Sequence, residues 1–468
     1  MATSNTKSQL LSGSRIYEVL QYYYAPGGLS TATSSLNKFY GFIGKVSPWT
    51  DPNNPDNFVE TQQNIKQVFK NIISAKQITS SDIAPVIQRI DWESGFIYDY
   101  YTDTEDMFIQ NTDGLLLKQF YVRNRFDQVF KCLWNNDGGE STVEPQFLPG
   151  TFDSTFLVKT ADGYKWKFMY SIDSGLKQKF FDTNWMPVPI GQNIPNPVDT
   201  FAAQGSIEVV NLTTTGNGYT SGGVTITITG DGSYANATAL VNTAGYLYDV
   251  AVSNTGTGYT YSDVTITTNP GFATPNTAAV AIAPTSPIGG HGFDPIAELG
   301  CSHAMVGLEF VESEGGLVPT DMTFYQLGLL LDPVSQESVS QTPPTLANSE
   351  VYDATTQLYV SAGTGTFTSG QTIYQGSSQA TATFIGEIVD YNPLSNVVRV
   401  INITGSPTLN DAVVQDASGS IGGAIRTLLS VTNPDFITFS GYMTYIENRT
   451  GVTRNADGTE QFRIVLRF

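Results

Sequence analysis

The sequence is poor in the residues from which most reactive sites are built. Its 468 residues include two cysteines, Cys132 and Cys301, and two histidines, His291 and His303. Two distant cysteines make neither a disulfide framework nor a four-ligand zinc site. Lys and Arg number 23 against 43 Asp and Glu, a formal net charge of −20. This shortage of basic residues argues against nucleic acid and anionic membrane as partners, since both require a positive footprint. Charged residues are only 14% of the chain, against about 25% in an average globular protein. Disorder combines high charge with few aromatics, whereas aromatics here reach 12%. The opening MATSNTKSQLLSGSR has no apolar stretch, so no secretory signal is expected. The uncharged stretch 264–293 is interrupted by Thr, Asn, Pro and Gly, which excludes it as a membrane helix.

What is abundant is Gly, Thr, Ser, Asn, Tyr and Phe, the composition of a mainly β protein. The spacing of Ile65, Val68, Phe69, Ile72 and Ile73 predicts an amphipathic helix over Glu60 to Lys76. A shorter helix is expected over Arg15 to Tyr24, closed by Pro26-Gly27-Gly28. Tyr164 to Tyr170 and Phe462 to Phe468 read as half-buried strands.

Composition shifts near Gly205. From there to Thr285 there is no Lys or Arg, and the acids are Glu208, Asp231, Asp249 and Asp263. The block repeats itself: Gly216-Asn-Gly-Tyr-Thr220 recurs as Gly256-Thr-Gly-Tyr-Thr260, and Val224-Thr-Ile-Thr227 as Val264-Thr-Ile-Thr267, both at an offset of 40. Ala239-Leu-Val241 matches Ala279-Val-Ala281. Each unit reads as three strands with a Gly-Tyr turn, the Tyr folding back as a packing anchor. A weaker repeat at the same offset spans 351–430, where Leu358 and Val360 match Val398 and Val400, Gly365 matches Gly405, and Gln371 to Gln375 matches Asp411 to Gln415. Two copies are too few to close a propeller. The expected architecture is therefore mainly β: a β-sandwich-like core with a few helices, built from 1–204, 286–350 and 431–468, carrying small β domains inserted at 205–285 and 351–430.

Candidate chemistry is sparse. His291, Asp294, Glu298 and His303 offer metal-ligating side chains, but their spacing is irregular and their Gly/Pro-rich setting argues against a helix, so no metal is expected. Asp91 with Glu93, and Asp103 with Glu105 and Asp106, offer paired carboxylates of the kind glycosidases use; in a chain with 43 acids such clusters arise by chance. Asp51 to Asp56 can hold calcium through oxygens but reads better as Asx and Pro turns. No Gly-rich segment precedes a helix or ends in a phosphate-binding Lys, and no nucleophile elbow occurs. The residues by themselves point to a non-catalytic structural or binding protein without cofactors.

Five segments then carry a resemblance. Gly44-Lys-Val-Ser-Pro-Trp49, Pro85-Val-Ile-Gln-Arg-Ile-Asp-Trp92, Asp162 to Ile172, Gly441-Tyr-Met-Thr-Tyr-Ile-Glu-Asn-Arg449 and Gln461 to Phe468 resemble, in order, the gene-eight baseplate wedge proteins of T-even-like contractile-tailed phages. The similarity covers the expected core and leaves out both repeat blocks and Gly289 to Gly300. The Gly-Tyr repeats look like modules found in structural proteins of marine T-even-like phages. The resemblance implies a structural virion subunit in the tail baseplate, made in the host cytoplasm, which forms a homodimer, joins other wedge subunits and has no activity. It further implies structural roles for Pro48, Trp49, Asp91 and Trp92 as strand-end anchors, for Arg89 and Arg449 as partners of nearby carboxylates, and for Trp166, Tyr445, Glu447 and Asn448 within the shared motifs. The rival expectation is a carbohydrate- or receptor-binding tail protein, which exposed Tyr and Trp clusters on the inserts would favour.

Overall fold

A computed structural model describes residues 8–10, 38–112, 114–148, 156–189, 198, 202–415 and 423–467. The helix expected over Arg15 to Tyr24 lies outside these residues. The fold is mainly β, with 43% strand and 8% helix. Contacts divide the chain into two compact units, one from the described residues of 1–83 and 306–464, the other from 84–305 and 465–468.

In the first unit, six antiparallel strands form one sheet in the order Ser8–Leu10, Tyr442–Arg454, Met322–Leu331, Phe39–Gly44, Ile72–Ile78, Val351–Asp353. Phe39–Gly44 is buried along its whole length, so both of its faces are covered and its residues run apolar without alternation. The helix between two of these strands is shorter than its periodicity suggests. It runs Gln62–Asn71, and Ile72 and Ile73 already belong to the next strand. Adjacent β-branched residues lose side-chain freedom in a helix and pack well in a sheet, and the sheet edge captures them. Thr61 caps the helix through its hydroxyl, which accepts from Asn64 N. Val68 and Phe69 are buried in a cluster with Tyr40, Phe42 and Tyr352.

The strands from Thr356–Val360 to Ile425–Thr432 form a closed six-stranded barrel with its own apolar cluster, whereas Val351–Asp353, at the start of the 351–430 block, belongs to the sheet above. Its two repeats are related by a local two-fold. Leu358 pairs directly with Val398 and Tyr374 with Val414, each a residue facing its own counterpart. The other pairings repeat at the same offset: Ile373 with Gly386 and Val413 with Arg426, Ile388 with Val400 and Leu428 with Val360.

The second unit contains a four-stranded sheet ordered Tyr121–Arg123, Gln128–Trp134, Lys165–Ser171, Leu157–Lys159. Lys165–Ser171 is not half-buried as its charges suggest, because every residue except Ser171 is buried. An aromatic core holds Phe120, Tyr121, Phe130, Tyr164, Trp166, Phe168 and Tyr170.

The Gly-Tyr block also lies in this unit and also has a two-fold. Ile226 pairs with Ile266 on its axis. The outer strands of one repeat pair with those of the other: Leu212 with Ala281 and Val252 with Ala237. The first strands correspond at an offset of 40, but Ala237 corresponds to Ala281, so the third strands correspond at 44. The sequence match of Ala239 with Ala279 is therefore out of register; the turn before the last strand is four residues longer in the second repeat. Tyr219 and Tyr259 are buried, and each reaches the opposite repeat. The Tyr219 hydroxyl accepts from Ala279 N at 2.8 Å and that of Tyr259 from Ala235 N at 3.4 Å. Gly216 and Gly256, with φ of 60° and 62°, make this possible: a Cβ at either would lie under 3 Å from the backbone of the same partner strand.

Candidate functional site

The sequence candidates His291, Asp294, Glu298 and His303 do not form one site. Asp294 caps a one-turn helix, Pro295–Glu298, accepting from Ile296 N and Ala297 N. A helix was not expected here, yet Pro at its first position has no amide to lose. His303 sits against Trp185, ring centroids 4.3 Å apart, with Nδ1 3.0 Å from Ser302 Oγ. Burial, and then the charge of Arg467, lower its imidazole to about 4. His291 and Glu298 do meet, with Nδ1 3.6 Å from Oε2. Among the described residues no group of three or more His, Cys, Asp or Glu side chains is placed to hold a metal ion.

The residue that joins His291 to Glu298 is Lys131, which the sequence did not single out. Its ammonium lies 3.1 Å from Glu298 Oε2, 3.2 Å from His291 Nδ1 and 4.0 Å from the centre of the Tyr101 ring. All three ionisable side chains are buried. Glu298 also accepts from Gly292 N through Oε1. Burial alone would raise the Glu298 carboxyl; the Lys131 charge and the His291 contact hold it instead at about 2. Burial lowers Lys131 and His291, and the lysine's charge lowers His291 further.

Lys131 is one of three buried lysines on adjacent strands. Lys167 stands directly opposite it, and its ammonium contacts both oxygens of Glu208 at 2.8 and 2.9 Å. Lys165 donates to Val210 O and meets Asp249 at 3.0 Å. Facing like charges destabilise a sheet; here each lysine has its own acid. The arrangement ties the sheet to the Gly-Tyr block and to the 287–299 loop. One sequence signal pointed to it: a block without a single Lys or Arg must find counter-ions for Glu208 and Asp249 elsewhere in the chain.

Of the paired carboxylates, Glu93 is exposed and the other four have internal partners. Asp91 takes Arg123 at 2.7 Å and Arg89 Nε at 2.9 Å, and these guanidinium groups lower its carboxyl against the effect of burial. Asp103 accepts from Thr285 N and Oγ1, Glu105 pairs with Lys118, and Asp106 accepts from Phe108 N. Asp51 forms the expected Asx turn onto Asn53 N.

Most residues singled out in the five motif segments lie at internal contacts. Trp49 Nε1 donates to Arg449 O at 3.0 Å, with the Lys45 ammonium over its ring; Pro48 beside it is exposed. Asn448 accepts from Gln326 and donates to Asp56 O. The Tyr445 hydroxyl donates to Glu447 at 3.0 Å. Arg89 pairs with Asp91 and lies over Phe181. Trp92 Nε1 donates to Ser141 Oγ. Trp166 is fully buried between Tyr98 and Tyr164. Arg449 departs from the expected carboxylate pairing. Its guanidinium lies over the Phe462 ring, 5.4 Å from the centroid, where the aromatic face takes the place of an anion.

Two clefts open in the first unit. One, of about 730 Å³, is lined by Glu314, Glu337, Glu350 and Asp435; Glu314 is paired with Lys76 and Asp435 accepts from Asp353 N. The other, of about 320 Å³, is lined by Lys45, Trp49, Gln326, Glu387, Asn402 and Asn448, among others. Comparison with protein-family models and with curated proteins finds no match.

Proposed function

We propose that this chain is a non-catalytic structural protein, a wedge subunit of a contractile phage tail baseplate in which a discontinuous core carries two pseudo-two-fold β modules. The observation that carries the reading is how the five motif segments are used. Trp49 to Arg449 joins segments 400 residues apart, Asn448 bridges Gln326 to Asp56, and Asp91 is shared between Arg89 and Arg123. These residues are joints, as a family defined by architecture requires. The two histidines and Asp91, Asp103, Glu105, Asp106, Asp294 and Glu298 are held by internal partners. On this reading the chain forms a homodimer, binds other wedge subunits and neither nucleic acid nor lipid, and resides in the virion. Sedimentation at micromolar concentration, in low and about 0.5 M salt, tests the dimer: apolar association persists when charge pairs are screened. A monomer under both conditions contradicts it.

One observation favours a second reading, a carbohydrate- or receptor-binding tail protein. Tyr234, Tyr246, Tyr248 and Tyr261 of the Gly-Tyr module are 41–79% exposed, and Tyr is enriched at binding interfaces. Removal of these rings with loss of attachment to the host surface, and no loss of assembly, distinguishes it.

A further inference from the structure

We propose that the joint between the barrel and the six-stranded sheet of the first unit is a proton-operated latch, which holds the barrel more firmly in mild acid than at neutral pH. The proposal goes beyond the assembly reading and does not depend on it. The chain enters the barrel past Asp353 and leaves it toward Asp435, and the two crossings are bonded to each other. Asp353 N donates to Asp435 Oδ2 at 2.8 Å, and Asp435 N donates to Asp353 O at 2.9 Å. Arg399, on the barrel strand Val397–Gly405, spans the joint. Its Nε donates to Asp353 Oδ2 at 3.1 Å and its Nη2 to Gly316 O, outside the barrel. Its Nη1 donates at 3.0 Å to Asp390 Oδ2, on the neighbouring barrel strand Phe384–Asn392.

Asp353, Asp390 and Asp435 thus meet where Arg399 pairs with the first two. The charge of Glu337, on the turn Gln336–Ser338, acts on Asp435. Glu350 lines the adjacent cleft with Asp435, and Glu314 is matched by Lys76. Fully ionised, the joint holds more negative charge than Arg399 balances, and like charges in a desolvated site favour the uptake of a proton. Geometry assigns that proton to Asp390. Asp353 is 2% exposed and uses both oxygens as acceptors, Oδ1 from Thr355 N and Oγ1, Oδ2 from Gln357 and Arg399. Asp390 has Oδ2 on Arg399, but its Oδ1 is buried without a partner, a costly place for a full negative charge. Protonated, Asp390 still accepts from Arg399 through Oδ2 and leaves Arg399 and Asp353 as a balanced pair across the joint. Burial raises the carboxyls of Asp353, Asp390 and Asp435 above their ordinary value, against the charge of Arg399 at the first two. A raised folded pKa gives stability that is complete below the ordinary value of 3.8 and is lost as pH rises through the folded value. This sign is opposite to that of Glu298 and His303, whose pKa values are depressed.

The test is hydrogen-exchange mass spectrometry of the full chain at pH 4.5, 5.5, 6.5 and 7.5, with rates corrected for the intrinsic chemistry at each pH. We expect the amides of 353–357 and 433–437 to be about fivefold or more better protected at pH 4.5 than at pH 7.5. Those of the central sheet strand Met322–Leu331 should change less. Asp390→Asn fixes a neutral group of the same shape, so its joint should show the acid level of protection at every pH. Protection of Val397–Gly405 in the variant reports that its barrel is folded; if it is not, the wild-type titration decides alone. Protection at the joint that is independent of pH, or that falls toward acid, overturns the proposal. So does a pH dependence that persists in folded Asp390→Asn, which would seat the proton on another group.

Discussion

Lys131→Met should destabilise the second unit by about 3–5 kcal/mol, because it leaves the Glu298 carboxylate in the interior without its cation. The structure sets the scale. Lys131 is 0% and Glu298 4% exposed, so solvent does not screen the loss. A carboxyl held at about 2 rather than 4.5 corresponds to about 3 kcal/mol. At roughly 2–4 °C per kcal/mol for a unit of this size, calorimetry of the full chain at pH 7 should show its transition falling by about 10 °C. The pH dependence gives a second readout. Because the folded pKa of Glu298 is depressed, its stabilisation is complete above about pH 4.5 and is lost as pH falls toward 2. In Lys131→Met the carboxyl loses its main restraint and takes up a proton at higher pH, so the deficit relative to wild type shrinks at about pH 4. The double variant Lys131→Met/Glu298→Gln removes the stranded charge and should recover most of the loss. A single variant that costs under about 1 kcal/mol, with the same deficit at both pH values, refutes the reasoning.

Tyr219→Phe removes the acceptor for the Ala279 amide and should cost about 1–2 kcal/mol in urea unfolding, with Tyr259→Phe costing less because its contact is longer. Gly405→Ala should cost more than about 3 kcal/mol, since φ is +81° and the new Cβ would lie 2.0 Å from Thr383 O; Gly95→Ala, at a similar φ with nothing within 4 Å, should cost only about 1–2 kcal/mol. His303 is held neutral with its pKa at about 4, so its contribution, present above about pH 6.5, is lost as pH falls toward 4. Urea midpoints at pH 7 and 4.5 should show about 2 kcal/mol of acid-linked loss that disappears in His303→Phe.

The mainly β character was legible because composition and turn chemistry agree over the whole chain. The repeats were legible too, so that Ile226 and Ile266, and Leu358 and Val398, stood out as counterparts. What did not show was the pairing between repeats, because an offset within a sequence does not say whether repeats pack within themselves or against each other. The 44-residue offset of the last strand of the Gly-Tyr block was hidden by chance alanines at 40. The helix end at Asn71 was misjudged because Ile72 and Ile73 fit both periods, and the sheet decided. Lys165 and Lys167 read as the charges of a half-buried strand, and Lys131 carried no signal of its own; the burial of all three depends on Glu208, Asp249 and Glu298, distant in sequence. The cleft around Gln326 draws its lining from five separate segments, beyond what local patterns reveal.

The most direct measurement for the central proposal is electron cryo-microscopy of intact particles whose genome encodes this chain. The account predicts density for the chain in the tail baseplate, in several copies arranged around the hub, with the Trp49–Arg449 core against neighbouring subunits. Absence of the chain from the particle, or its placement in a tail fibre or the capsid, contradicts it.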